Sequence, residues 1–529
     1  MDSATVVDYG IERRKAMDLA QAGQNGNGFD KRGGLAPDAK RRIADRARYA
    51  GDFPSGARPV FVHAMWRTGS TYVWAKFREN PRYRAYYEPL HEVFINVSME
   101  ALEAVGSDEA ADSRRHPHLK ASYFAEFQEL VGAGAISFEK SFPYRRYCLG
   151  QTDEERPLRR YVADLLVLAL ANGQTPVLQF NRSLLRTGWL TAHFNPINIL
   201  LLRRPIDVWK SFISFEHRYF PTVVCMIAGQ NQHQPILHEL VKRHNVPFFI
   251  GENVQSDYAF YHEYAAGNLG KLYPLFYELY LLTSIYAARY ADCIIDLNEI
   301  TESASSREAV AERLRALGVD ISLDDCHLPR YTDLSAADRE CLAYEETALD
   351  FLGRSLAPQH RIPRKRFEPQ RPMIGEYFRE IFADFLGGVK DAPWPIPQAS
   401  AKELHQAGLD RFERGQAREA AMLFGDAILE QPSADLWNDW ASAQMACGRP
   451  QLAETGFRRA LEISSRNKQA AANLAALLVS HTRYQEAIPL LERALQDAKG
   501  RENRALTNLL SHCRCQQALA EATRIARGE

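Results

Sequence analysis

The chain is 529 residues long, which at roughly 100 to 200 residues per folding unit predicts two to four units and excludes a single small binding module. Apolar residues make up 46% and charged residues 25%, a balance that excludes a disordered or fibrous chain. Lys and Arg total 65 against 66 Asp and Glu, a formal net charge of -1, so a whole-surface nucleic-acid binder is excluded and any anion site must be a local patch.

Residues 1–57 form a polar N-terminal extension rich in Gly and Arg, with some helical spacing in KRRIADRARYA before GDFPSGARP. The first thirty residues lack an apolar core, so no secretory signal is expected. The longest apolar run, LLVLALA at 165–171, is less than half a membrane span, and no membrane crossing is expected. Eight cysteines contain no C-x-x-C pair and there is no H-E-x-x-H, which points to a reducing, cytoplasmic compartment and to no metal site.

From 58 to 352 short aliphatic runs alternate with helical stretches, the pattern of an α/β domain whose parallel sheet is covered on both faces. The clearest strands are 59–64, 176–180, 197–202 and 292–297; near-continuous apolar character is what strands buried on both sides require. Helices are expected at about 70–79, 158–171, 184–193, 205–219, 271–289 and 306–317.

The first strand runs into Met65-Trp66-Arg67-Thr68-Gly69-Ser70-Thr71 and then a helix. A loop of this kind turns backbone N–H groups and hydroxyls toward an anion at a helix N-terminus, and Gly69 permits the tight turn. An ATP or GTP loop of the form G-x-x-x-x-G-K-[ST] is excluded here because its Lys and first Gly are missing. Arg67 instead supplies a rigid five-donor cation two residues before the glycine. A second strand-to-helix junction, INILLLRRPIDVWKSF at 197–212, ends its strand in Arg203 and carries Ser211 eight residues later, with Pro205 opening the helix.

Together these segments resemble the sulfotransferase family, whose [RK]-[ST]-G-[ST]-[ST] signature binds the 5′-phosphosulfate of 3′-phosphoadenosine 5′-phosphosulfate (PAPS). The resemblance covers about residues 58–350 and implies a three-layer, P-loop-like fold. It assigns Arg67, Thr68, Gly69, Ser70, Thr71 and Tyr72 to the donor, and Arg203 with Ser211 to its 3′-phosphate. Transfer to a hydroxyl or amine needs a base at the acceptor and cations at the leaving group. The resemblance gives the base role to Glu88 in YYEPLHE, with His91 as rival, and leaves His63 structural. Burial among Tyr86, Tyr87 and Phe94 is one way to tune the Glu88 carboxyl. The Lys-x-Pro of many members is missing; Arg182 is the expected substitute cation, with Lys140 as the other candidate and Arg186 nearby.

The acceptor remains a glycan, a small hydroxylated metabolite or a tyrosyl peptide. The aromatic and His-rich region 212–290, including His217, Tyr219, Phe220, His233, His238, His244, Tyr258, Tyr261, His262 and Tyr264, is expected to line its pocket. Competing readings are nucleotide-dependent phosphoryl transfer, for which Asp296 would be the metal-holding acid unless it is only a loop cap, and a non-catalytic interaction scaffold.

A Pro/Arg-rich break spans 353–400, with one helix expected at 377–386. From 401 to 529 the pattern is purely helical. Gly415, Ala420, Phe424 and Ala427 recur 33 residues later as Gly448, Ala453, Phe457 and Ala460, and Ala487, Leu491 and Ala494 follow after a further 34. This resembles the tetratricopeptide repeat (TPR), with three units in 401–499 and a terminal pair or cap at 503–526, and implies an all-α solenoid that binds a protein partner or self-associates. The break predicts that a chain ending near residue 395 stays folded and binds donor.

Overall fold

The computed structural model describes residues 58–104, 122–214, 218–328, 335–345, 399–495 and 501–526. The N-terminal extension, the expected helix 377–386 and nearly all of the Pro/Arg-rich break lie outside them.

Five strands form one parallel sheet in the order β2-β3-β1-β4-β5: β1 Val60–His63, β2 Tyr83–Tyr87, β3 Thr175–Phe180, β4 Ile197–Leu202 and β5 Cys293–Asp296. The two neighbours of β1 are locked in register, Val60 facing Val177 on one side and Ile197 on the other. All residues of β1, β3 and β4 are buried, which explains their unbroken apolar signal. In β4 the side chains divide between two cores: Ile199 and Leu201 join the larger, Leu200 and Leu202 the smaller.

The sheet is dressed by α1 (Ser70–Glu79), α2 (Arg156–Ala171), α3 (Thr187–Phe194), α4 (Pro205–Ile213), α5 (Tyr219–Gln230), α6 (Pro235–His244), α7 (Val254–Asn268), α8 (Leu272–Ala288), α9 (Leu297–Glu302) and α10 (Ala304–Ala316). The helix expected over 205–219 ends earlier, at Ile213, and a separate helix begins at Tyr219 after Arg218 takes a left-handed backbone (φ 49°). Among the described residues no helix is long and apolar enough to cross a membrane.

The C-terminal region is three antiparallel helix pairs, α11 (Ala401–Glu413) with α12 (Ala417–Glu430), α13 (Ala434–Ala446) with α14 (Pro450–Ile463), and α15 (Lys468–Ser480) with α16 (Tyr484–Leu495). This architecture is compatible with a solenoid. The small positions of the repeat are where helices touch: a Cβ on Gly408 would stand 2.5 Å from the Phe424 ring, and Ala420, Ala453 and Ala487 are wholly buried. Gly415 and Gly448 take left-handed turns between paired helices, and Thr482 makes the same turn in the third pair (φ 58°), where no glycine marks it in the sequence. Of the terminal pair or cap expected at 503–526, the structure has one helix, α17 (Arg501–Ala526), which no Gly or Pro interrupts.

The helix pairs are not detached from the α/β part. α12 lies against α2, with Gly425 over the Val167 side chain and Arg159 forked onto Asp426 at 2.9 and 3.0 Å. Thr455 of α14 donates to Glu129 and Arg449 donates to the Gly134 carbonyl. Phe424, Trp437 and Phe457 therefore belong to the same continuous core as the sheet residues Val62 and Val177. The two regions expected from the Pro/Arg-rich break are thus in contact: α2 is apolar on more than one side and the repeats pack against it.

Candidate functional site

The chain leaves β1 toward β2 and leaves β4 toward β5, in opposite directions across the sheet, which opens a crevice between the carboxyl ends of β1 and β4. The two motif segments meet there. Arg67 Nε donates to Ser211 Oγ at 2.9 Å, and Arg203 donates to the Arg67 carbonyl at 3.0 Å, joining loops 136 residues apart. The Tyr280 hydroxyl fixes the backbone of Arg203 from below, donating to its carbonyl (2.7 Å) and accepting from its N–H (3.1 Å).

The loop itself is strained where it turns. Arg67 and Gly69 both have positive φ, 63° and 93°, and a Cβ on Gly69 would sit 2.5 Å from Leu297 Cδ1. Gly69 caps α1 without any side-chain hydrogen bond, no acidic residue occupies the first turn, and Ser70 and Thr71 are buried beside it. The first N–H groups of α1 have no intrahelical partner by construction of a helix, so this end is suited to an anion. Thr68 serves the turn internally, its hydroxyl donating to the Met65 carbonyl at 2.7 Å. The Tyr72 hydroxyl donates to the exposed Asp325 at 2.6 Å, at the outer surface and not at the Arg67–Ser211 pair.

Next to this loop lies a buried ionic cluster. Glu88, at the end of β2, is 6% exposed and has positive φ (38°); Asn181 donates to its Oε1 and Arg182 pairs with its Oε2. Arg182, 1% exposed, also meets Glu92 (2.6 Å), the Tyr219 hydroxyl (2.9 Å) and the Tyr144 hydroxyl (3.1 Å), and its guanidinium stacks over Trp66. Burial opposes ionisation of Glu92, yet Arg182, His91 and the Tyr219 hydroxyl together hold its carboxyl down to about 2. The two halves adjoin at Tyr87, whose hydroxyl is within 3.1 Å of Thr71 Oγ1 and which feels both Glu88 and Arg67.

The structure thus brings Arg67, Ser70, Thr71, Arg203, Ser211, Glu88 and Arg182 to one edge. The charge of Arg182 is shared by two carboxylates, Glu88 and Glu92. Lys140 is exposed, and Arg186 is buried on the carbonyls of Phe142, Arg146 and Arg182, with burial bringing it down to about 9. His91 caps the short helix Glu92–Asn96, its Nδ1 accepting from the Val93 N–H at 3.1 Å. His63 is structural, held between Ser183 and Asn198, with burial lowering it to about 4. Asp296 caps α9 through the N–H groups of Asn298 and Glu299.

Of the aromatic region, Tyr219 reaches Glu92 and Arg182, Phe220 faces the Arg67 guanidinium at 5.8 Å, and Tyr258 stacks on Tyr219. Tyr261 and Tyr264 are tied to carbonyls of the 244–249 segment, His244 pairs with Glu278, and His233 and His238 are exposed, so these do not join the cluster. His217 lies outside the described residues. Glu92, Asn181 and Tyr144 were missed; the only sequence signal was a second carboxylate four residues after Glu88. Among the described residues no group of three or more His, Cys, Asp or Glu could hold a metal ion.

No model of a protein family matches the chain, and no curated protein does. Among solved structures, the chain is similar to one described as the TPR2AB domain of yeast Sti1 in a complex with pHSP90, at 14% identity and a TM-score of 0.21. That match covers 58% of this chain and 90% of the other.

Proposed function

We propose that the protein is a PAPS-dependent sulfotransferase, with a P-loop-like α/β domain joined to TPR-type repeats. The observation that carries this reading is the convergence of Arg67, Arg203 and Ser211 at the β1/β4 crevice beside a helix N-terminus, from two segments distant in sequence. The donor supplies a sulfuryl group carried on a phosphate oxygen. The chain's own residues supply the rest: Ser70, Thr71 and Arg67 hold the 5′ end, Arg203 and Ser211 the 3′-phosphate, and Glu88 accepts the proton of the acceptor hydroxyl or amine. Gly69 fits this role, because the close packing on Leu297 leaves its turn no room for a side chain. Arg182 and Asn181 fix the Glu88 carboxylate, and Trp66, Tyr144 and Tyr219 form an aromatic wall beside it, suited to a glycan or phenolic acceptor. The eight free thiols suit the cytoplasm, and the repeats serve a protein partner or self-association.

Calorimetry with adenosine 3′,5′-bisphosphate, AMP and ATP tests the donor. Two charge-assisted contacts to the extra phosphate predict a preference over AMP of roughly tens- to thousands-fold. Arg203→Ala is expected to erase most of that preference while sparing AMP. Equal affinity of the native protein for AMP and the bisphosphate would remove the assignment.

A further inference from the structure

Glu88 holds a backbone conformation that a residue with a Cβ rarely adopts, and such a conformation persists only when its surroundings impose it. Two hydrogen bonds bracket it, and both tie it to α2. The Tyr161 hydroxyl donates to the carbonyl of Pro89 at 2.7 Å, immediately after Glu88, and the Tyr86 hydroxyl donates to the Leu165 carbonyl at 3.0 Å, two residues before it. Tyr161 is 1% exposed and Tyr86 is fully buried, so neither bond competes with water.

Tyr161 and Leu165 lie on one side of α2; Arg159 and Val167 lie on the other, at helical spacing. That second side carries the repeats. Arg159 forks onto Asp426, Gly425 sits over Val167, Asp164 feels the charges of Asp426 and Arg449, and Arg459 reaches Gly173 just past the helix end. α2 is therefore clamped along its length between the Glu88 turn and the helical array.

We propose that the C-terminal repeats brace the Glu88 turn through α2, with Tyr161 as the positioning residue that transmits the restraint. The functional weight of this brace rests on the reading of Glu88 as the base; the brace itself does not. A partner that binds the repeats and shifts α12 would act on the geometry of Glu88 by this route, without touching the crevice.

Amide hydrogen exchange of the full-length protein, read by mass spectrometry, tests it. Asp426→Arg is expected to raise exchange in the 86–92 peptide several-fold while leaving the 197–202 peptide of β4 unchanged. The charge-exchanged pair Arg159→Asp with Asp426→Arg is expected to restore protection. Tyr161→Phe, which removes one hydroxyl and no packing, is expected to raise exchange in 86–92 by about two- to tenfold. Unchanged 86–92 exchange in both single variants overturns the brace. So does a rise spread over the whole sheet that the exchanged pair fails to restore, because that is general destabilisation. Titration with adenosine 3′,5′-bisphosphate is run on the same samples: failure of the native protein to bind it overturns the sulfotransferase reading and leaves the exchange result to decide the brace.

Discussion

Glu92 and His63 are both held in the fold below their ordinary pKa values, by different means. Glu92, brought from 4.5 to about 2, is half-buried but meets Arg182 and the Tyr219 hydroxyl; His63, brought from 6.5 to about 4, is simply sealed in the sheet as a neutral ring. In each case the unfolded chain binds a proton at a higher pH than the folded one, so stability present above the unfolded value is lost as pH falls toward the folded value. The windows differ: acid acts through His63 between pH 6.5 and about 4, and through Glu92 between 4.5 and about 2. Each group contributes a slope of up to about 1.4 kcal/mol per pH unit in its window. Urea unfolding against pH is expected to show the lower-pH slope flattened in Glu92→Gln and the upper one in His63→Gln. His193, also lowered to about 4 by burial, titrates in the upper window, so His63→Gln removes only part of that slope. An unaltered slope in Glu92→Gln would show that Arg182 does not hold the carboxylate.

Among the elements, the β1 loop and α1 depend on Gly69 for two separate reasons, a φ of 93° and contact with the Leu297 side chain. Gly69→Ala is therefore expected to cost about 1–3 kcal/mol in urea unfolding and to weaken nucleotide binding as well. Gly134→Ala is the comparison: it also has positive φ (56°), but a Cβ there meets nothing within 4 Å, so its cost is expected to be smaller. Equal costs would remove the packing part of the argument. The β1 loop was legible in sequence because a buried strand, a glycine and a helix start follow one another within a few residues. β3, β4 and β5 were legible as apolar runs, whereas β2 is an edge strand whose Arg84 and Tyr87 are only half-buried, and its mixed YRAYY run gave a weaker signal. The ionic cluster was not legible, because Arg182 finds Glu88 and Glu92 more than 89 residues away, a distance over which local patterning carries no pairing information. The repeat register was legible from its period, but its docking face was not. Arg159 and Val167 read as ordinary positions of an amphipathic helix until Asp426 and Gly425 are seen against them.

At the scale of the whole molecule, cooperativity follows from how the two regions share their core. Phe424, Trp437 and Phe457 of the helical array are continuous with the residues under the sheet, and the Arg159–Asp426 pair, about one-fifth exposed on each side, seals the edge of that contact. Removing residues 396–529 would leave the outer side of α2, including Val167 and Arg159, facing water, and would strip the partner from one charge of a partly buried pair. Since the same helix holds the Glu88 turn through Tyr161, the loss is expected to spread inward and not to stop at the surface. Calorimetry of the full chain is thus expected to give one unfolding transition for the sheet and the repeats together. The chain ending at 395 is expected to melt lower, by several degrees or more, and to bind a hydrophobic dye that the full chain does not. Two well-separated transitions in the full chain, with the upper or lower one reproduced by the shortened chain at an unchanged midpoint, would show that the contact across α2 contributes no stability and that the two regions fold independently.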